Sequence, residues 1–174
     1  MTGNGWNHHT RASDALAWSR GPRIRELKAR EQASVLARNH VGRIAFIGDS
    51  RVELLPVHYV YVDRTIVGRT SFGQKYLTWL VRNQVVFEVD ESDALFDWRS
   101  VIVRGTLTIL RSRGSDAERL AYLQALSAIR TLVPAAFTER DPTPNRGFVF
   151  AITPTEITGR TASTHENEDP RGRS

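Results

Sequence analysis

VGRIAFIGDSRVELLPVHYVYVDRTIVGRT, Val41 to Thr70, holds three runs rich in β-branched and aromatic residues, separated by two short polar breaks. VGRIAFIG reads as one strand, Gly-Asp-Ser as a tight turn, RVELLPVHYVYV as a second strand, Asp63-Arg64 as another turn and TIVGRT as a third strand. Connections this short join antiparallel neighbours, because a parallel pair needs a crossover of roughly a dozen residues or more. The stretch is therefore a β-meander. Pro56 interrupts its apolar second strand, and a residue without an N–H predicts a sheet edge or a bulge there. In barrels such places often lie beside functional sites.

Downstream the period changes. Tyr76, Leu77, Leu80 and Val81 form a helical stripe closed by Arg82 and Asn83. Strands are expected at 84–90 and 98–110, then a helix at 115–130 whose Ser115 and Glu118 have capping-box spacing. The loop TERDPTPNRG leads to a last strand, 148–160. Upstream, residues 27–39 read as a short helix with Ala33, Leu36 and Ala37 on its apolar side. Six strands on short turns, with helices as plugs, predict a mainly β (α+β) antiparallel barrel; a doubly wound sheet needs a helix between nearly every pair of strands. The predicted organisation is a flexible polar arm at 1–22, a core domain at 23–160 and a tail at 161–174.

The chain has 174 residues and no cysteine, which excludes disulfides, thiolate metal sites and a thiol nucleophile. Lys and Arg number 24 against 19 Asp and Glu, and the only lysines are Lys28 and Lys75. Such an excess favours anionic partners, but the cations are scattered, with no stacked aromatic platform, so no specific nucleic-acid role is expected. With no window of about 18 apolar residues, no membrane span is expected, and a cytoplasmic location fits.

GRTSFGQK, Gly68 to Lys75, carries Arg69 and Lys75 at a helix start, where the peptide dipoles already favour anions. Ser71 and Gln74 have the spacing of a capping box. Two readings stand: a capped helix whose cations point into water, or a phosphate cradle of free N–H groups, the hydroxyls of Thr70 and Ser71, and the two cations. In WRSVIVRG, Trp98, Ser100, Ile102 and Arg104 share one strand face opposite Val101, Val103 and Leu107. That polar and aromatic face suits a planar ligand, a subunit interface or coverage by the arm. Glu88 and Asp90 share a face suited to ion pairing with nearby arginines more than to acid–base work. His58 lies within a strand and can serve as a ligand contact or proton donor. His8 and His9 fall in the polar arm, where an adjacent pair is ordinarily solvated. No nucleotide-binding glycine loop, serine triad or metal-ligand spacing occurs, so no catalytic residue is assigned and no metal is expected.

The order VGRIAF, VELLPVHYVY, IVGRTSFGQK, VVFEVDE, DWRSVIVRG resembles the pyridoxamine 5′-phosphate oxidase-like FMN-binding split-barrel proteins, in the branch of the nitroimidazole-resistance type, over about residues 25–155. The resemblance implies a six-stranded split β-barrel homodimer with two cofactor sites between protomers. It implies FMN phosphate at Arg69, Thr70, Ser71 and Lys75, with Gln74 nearby, and the flavin ring beside Pro56, Val57, His58 and Tyr59. Trp98 and Ser100 of the other subunit would close the site, with Arg104 as an addition. The implied activity is that of a flavin-dependent oxidoreductase acting on a small-molecule substrate. Related split barrels hold a deazaflavin coenzyme instead, and a non-catalytic flavin-sequestering protein is the third implied reading. The DPTPNRG loop lacks the Arg/His pattern of true pyridoxamine phosphate oxidases, so vitamin B6 oxidation is not expected.

Overall fold

The computed structural model describes residues 22–48 and 50–164; the paired His8 and His9 lie outside them. The expected strands form with closely similar bounds: β2 (Val41–Gly48), β3 (Arg51–Val62), β4 (Thr65–Thr70), β5 (Gln84–Ala94), β6 (Asp97–Leu110) and β7 (Phe148–Ser163). A short strand, β1 (Arg23–Glu26), precedes them. The helices are α1 (Ala29–Arg38), α2 (Gln74–Val81) and α3 (Asp116–Leu132). Among the described residues no helix is long and apolar enough to cross a membrane.

The sheet order is β1-β7-β4-β3-β2-β5-β6, all paired antiparallel, and β6 also pairs with β7. That last pairing closes six strands into a ring and leaves β1 as a flap on β7. Asp63 and Arg64 both take positive φ, 48° and 61°, as a two-residue hairpin of the type I′ kind requires. Pairing between β3 and β4 begins only at Tyr59 and Gly68. Residues 51–58 of β3 thus have a ladder on the β2 side alone, and Pro56 occupies the other, open edge, as its missing N–H demands.

Alternation sorts the side chains. Ile44, Phe46, Val57, Tyr59, Phe87, Val101, Val103 and Ile152 fill the barrel. Helix α1 caps one end with Val35 and Leu36, and burying a side chain like Leu36 stabilises by about 2 kcal/mol. Tyr59 Oη donates to the Leu36 carbonyl at 2.8 Å, and burial raises its pKa. Trp79 of α2 makes edge contacts with Phe46 and Phe150, at 5.6 and 5.5 Å between centroids. Two glycines admit the aromatic core. A Cβ on Gly42 would stand 2.2 Å from Phe87 Cζ, and one on Gly68 would stand 2.5 Å from Phe150 Cζ.

A second apolar layer lies outside the ring, where Ala125 and Ile129 of α3 cover Val67 and Val149. Helix α3 starts in the expected box: Ser115 N–H donates to Glu118 Oε2 at 2.8 Å, and the Ser115 hydroxyl accepts from Glu118 N–H at 3.3 Å. The capping box expected at Ser71 does not form. Gly73 is the N-cap, with φ 156° and ψ −171°, and no side chain caps the helix. The glycine-only backbone starts α2 two residues further along, out of register with the Ser71 hydroxyl.

Candidate functional site

The strands place the predicted residues on two separate parts of the surface. On β3, alternation turns Val57 and Tyr59 into the core, 7% and 1% exposed, while Pro56 and His58 face outward and are exposed. Of the four residues expected beside a flat ligand, two therefore offer side chains to it and two offer only backbone.

On β4, Arg69 also faces outward, but the 133–147 connection covers it. Arg69 Nη1 and Nη2 donate to the two Asp141 carboxylate oxygens at 2.6 Å each, and Nη2 donates to Thr143 Oγ1 at 2.5 Å. Its Cζ lies 5.2 Å from the centre of the Phe137 ring. Asp141 accepts further bonds from the N–H groups of Phe137, at 2.7 Å, and Thr143, at 2.9 Å. The guanidinium and these donors hold the Asp141 carboxyl well below the usual carboxylate range. Arg69 thus already grips an anionic group bidentately, but the anion is the protein's own. Sequence reasoning missed Asp141. The only local hint was a carboxylate among the prolines and polar residues of DPTPN.

Thr70 points the other way and is 2% exposed, and Ser71 is half-buried. Gln74 and Lys75 form the first turn of α2; their side chains fall outside the described structure. The turn is held by an aromatic trio: Tyr76 lies 4.5 Å from Phe148 and 5.4 Å from Phe72. N–H groups of a first helical turn have no intrahelical acceptor. A side chain built on Gly73 would meet no atom within 4 Å, so open space lies over this helix start.

The second part lies on β6. Trp98 and Ser100 line a groove of about 450 Å³ with Glu26, Gln32 and Arg160. Ser100 Oγ donates to Glu88 Oε1 at 3.2 Å. Arg43 pairs with Glu88 at 3.0 Å and Asp90 at 2.5 Å, so these carboxylates are ion-paired as expected. Arg104 pairs with Glu156 at 3.0 Å, away from the groove. Register measures the separation. Pro56 faces Arg43, Arg43 faces Glu88 and Glu88 faces Ile102, three strand steps, or roughly 14 Å around the barrel. No one protomer brings His58 and Trp98 together. Among the described residues no group of three or more His, Asp or Glu is placed to hold a metal ion.

Residues 28–161 match the family described as pyridoxamine 5′-phosphate oxidase, and the chain belongs to that family. Its fold is shared with an FAD-binding protein from Mesorhizobium loti at 28% identity and a TM-score of 0.67, covering 80% of this chain and 99% of that one. The FAD binding protein from Mycobacterium smegmatis is also 28% identical, with a TM-score of 0.58, covering 79% and 98%. A structure from Bacteroides thetaiotaomicron named for 5-nitroimidazole antibiotic resistance is 14% identical, with a TM-score of 0.59 over 82% and 89%, a likeness of fold alone. No curated protein matches the sequence.

Proposed function

We propose that two copies of this chain hold a flavin, FMN by preference, between them and together form an oxidoreductase for a small molecule. The observation that carries this reading is the split site: one protomer presents an open helix start and an outward-facing His58, and three strand steps from β3, roughly 14 Å, a separate groove under Trp98 and Ser100. A second copy supplies the missing half to each. The outer faces of β2 and β3 suit such a partner, because Val41, Ile47, Val52 and Leu54 are each more than half exposed. Leu95 and Phe96, at the tip of the β5–β6 hairpin, are exposed as well.

In this reading the first-turn N–H groups of α2, the Ser71 hydroxyl and Lys75 receive the phosphate. Pro56 and His58 lie along one side of the ring. Trp98 of the other copy provides a flat apolar wall, and Ser100, oriented by Glu88, provides a hydroxyl. Arg69 contributes by fixing the 133–147 connection through Asp141, not by lending a free charge. The flavin, when bound, would supply hydride or electron transfer, and the protein supplies orientation and electrostatics.

The names of the two 28%-identical structures favour FAD as a second reading. Titrating the purified protein with FMN, FAD and a deazaflavin coenzyme, followed by flavin fluorescence, ranks the three. Binding of none of them overturns the proposal. Lys75→Glu is expected to weaken FMN binding by about tenfold or more, since it puts an acid where an anion should sit.

A further inference from the structure

Among the described residues, Arg25, Arg38, Arg43, Arg51, Arg69, Arg99 and Arg104 meet a carboxylate. Arg146 is one of several that do not. It is half-buried, and among the described residues no carboxylate lies within 4.0 Å of it. Its place is fixed from both sides, because its N–H donates to the Thr143 carbonyl at 3.0 Å and β7 opens two residues later at Phe148.

Arg146 lines a cleft between β3, β4, α3 and the 133–147 connection, together with His58, Thr143, Val60, Leu132 and Val133. The volume is about 30 Å³, which admits one small group and not a ring system. Polar chemistry in it is one-sided. Thr143 Oγ1 accepts from Arg69, so its own hydroxyl proton is left to donate. The nearby Asp141 takes four donors, two from Arg69 and one each from the Phe137 and Thr143 N–H groups, which leaves its charge answered. A spare guanidinium, a spare hydroxyl proton and an imidazole at the mouth, set against apolar walls, call for a small anionic group.

We propose that this cleft binds the carboxylate of a small acidic ligand, with Arg146 as its counter-charge, Thr143 as a hydroxyl donor and His58 at the entrance. A planar guanidinium matches a carboxylate through two parallel bonds, and the apolar walls strengthen them by excluding water. The rest of the ligand lies outside the cleft, beyond His58 at its mouth. The proposal stands on the cleft and does not rest on the flavin.

The test uses benzoate and its neutral isostere benzamide, titrated into the full-length isotope-labelled protein and followed by the amide signals of Thr143 and Arg146 and the imidazole of His58. Saturable shifts are expected with benzoate and none at matched concentration with benzamide. Arg146→Gln is expected to weaken benzoate by about tenfold, with the thermal midpoint and FMN affinity unchanged. His58→Gln, an exposed position, is expected to weaken it by about twofold and serves if the first variant does not fold. Equal binding of benzoate and benzamide, no saturable shift, or undiminished benzoate binding by the variants overturns the proposal. So does a loss of FMN affinity in Arg146→Gln, which would assign Arg146 to the flavin. Failure of the wild type to bind any flavin would sink the flavin reading and leave this outcome standing.

Discussion

On the β4 side of the site Arg69 is 7% exposed, and three of its N–H donors are met by Asp141 and Thr143. On the β6 side Trp98 and Ser100 remain half-exposed over a wide groove, with Ser100 tied only to Glu88. One region has its electrostatics closed within the chain, and the other leaves a flat aromatic surface for something else to cover. The difference separates two jobs that a sequence motif runs together. A cation beside a helix start can hold a loop as readily as it holds a phosphate, and only the location of the nearest carboxylate tells which.

The most severe way to break the comparison is to prevent the two regions from meeting. Leu54→Arg, on the exposed apolar face of β3, should convert the proposed dimer to a monomer at about 10 μM and abolish flavin binding with it, because a charge facing a buried copy of itself is unpaired. Sedimentation velocity reads this out; a dimer that persists would remove that face from the interface. Next in size, Arg69→Gln should lower the thermal midpoint by roughly 10 °C, since it strands a carboxylate that the fold encloses. Ser100→Ala should change it by no more than about 2 °C. Equal losses would dissolve the distinction between a closed and an open region.

Trp98→Ala sharpens the other side. It should weaken flavin binding by about tenfold while leaving the midpoint nearly unchanged, because an open aromatic wall contributes to a ligand more than to the fold. Fluorescence titration and calorimetry on one sample measure both. The smallest effect concerns the tether between α1 and the β5–β6 hairpin. Glu91 accepts bonds from Arg38, Asn39 and Arg99, and its carboxyl is lowered from 4.5 to about 2, first by the Arg38 bond. A folded value below the unfolded one stabilises the fold above about pH 4.5, and that contribution fades as pH falls toward 2. Glu91→Gln should flatten the acid side of the midpoint-versus-pH curve by a few degrees; an unaltered slope would show that the tether is not coupled to stability.

Much of the architecture was legible because it rests on local regularities. Apolar alternation marked β2, β3 and β4 to the residue, the Ser115–Glu118 spacing marked the start of α3, and Pro56 announced its open edge. Elements lacking such a signature were less visible. RIRE of β1 is exposed throughout and becomes a strand only by pairing with the end of β7, from Arg23 against Ser163 to Glu26 against Arg160. The polar ends of β5 and β7 extend because Glu91 and Thr161 both pair with Arg99 of β6. At the site, residue types on β3, β4 and β6 were readable, but their company was not. Asp141 lies 72 positions from Arg69, a pairing that no periodicity encodes.

By itself, then, the sequence determined which segments are strands, which faces are apolar and which family the chain belongs to, since these follow from short-range patterning and motif order. The tertiary structure alone decided that Arg69 spends its charge on Asp141, that Arg146 keeps its own, and that His58 and Trp98 lie on separate stretches of one barrel. Those outcomes depend on which residues closure of the β6–β7 seam and the fold of the 133–147 connection bring within hydrogen-bonding reach, and contacts at that range leave no mark on the local sequence.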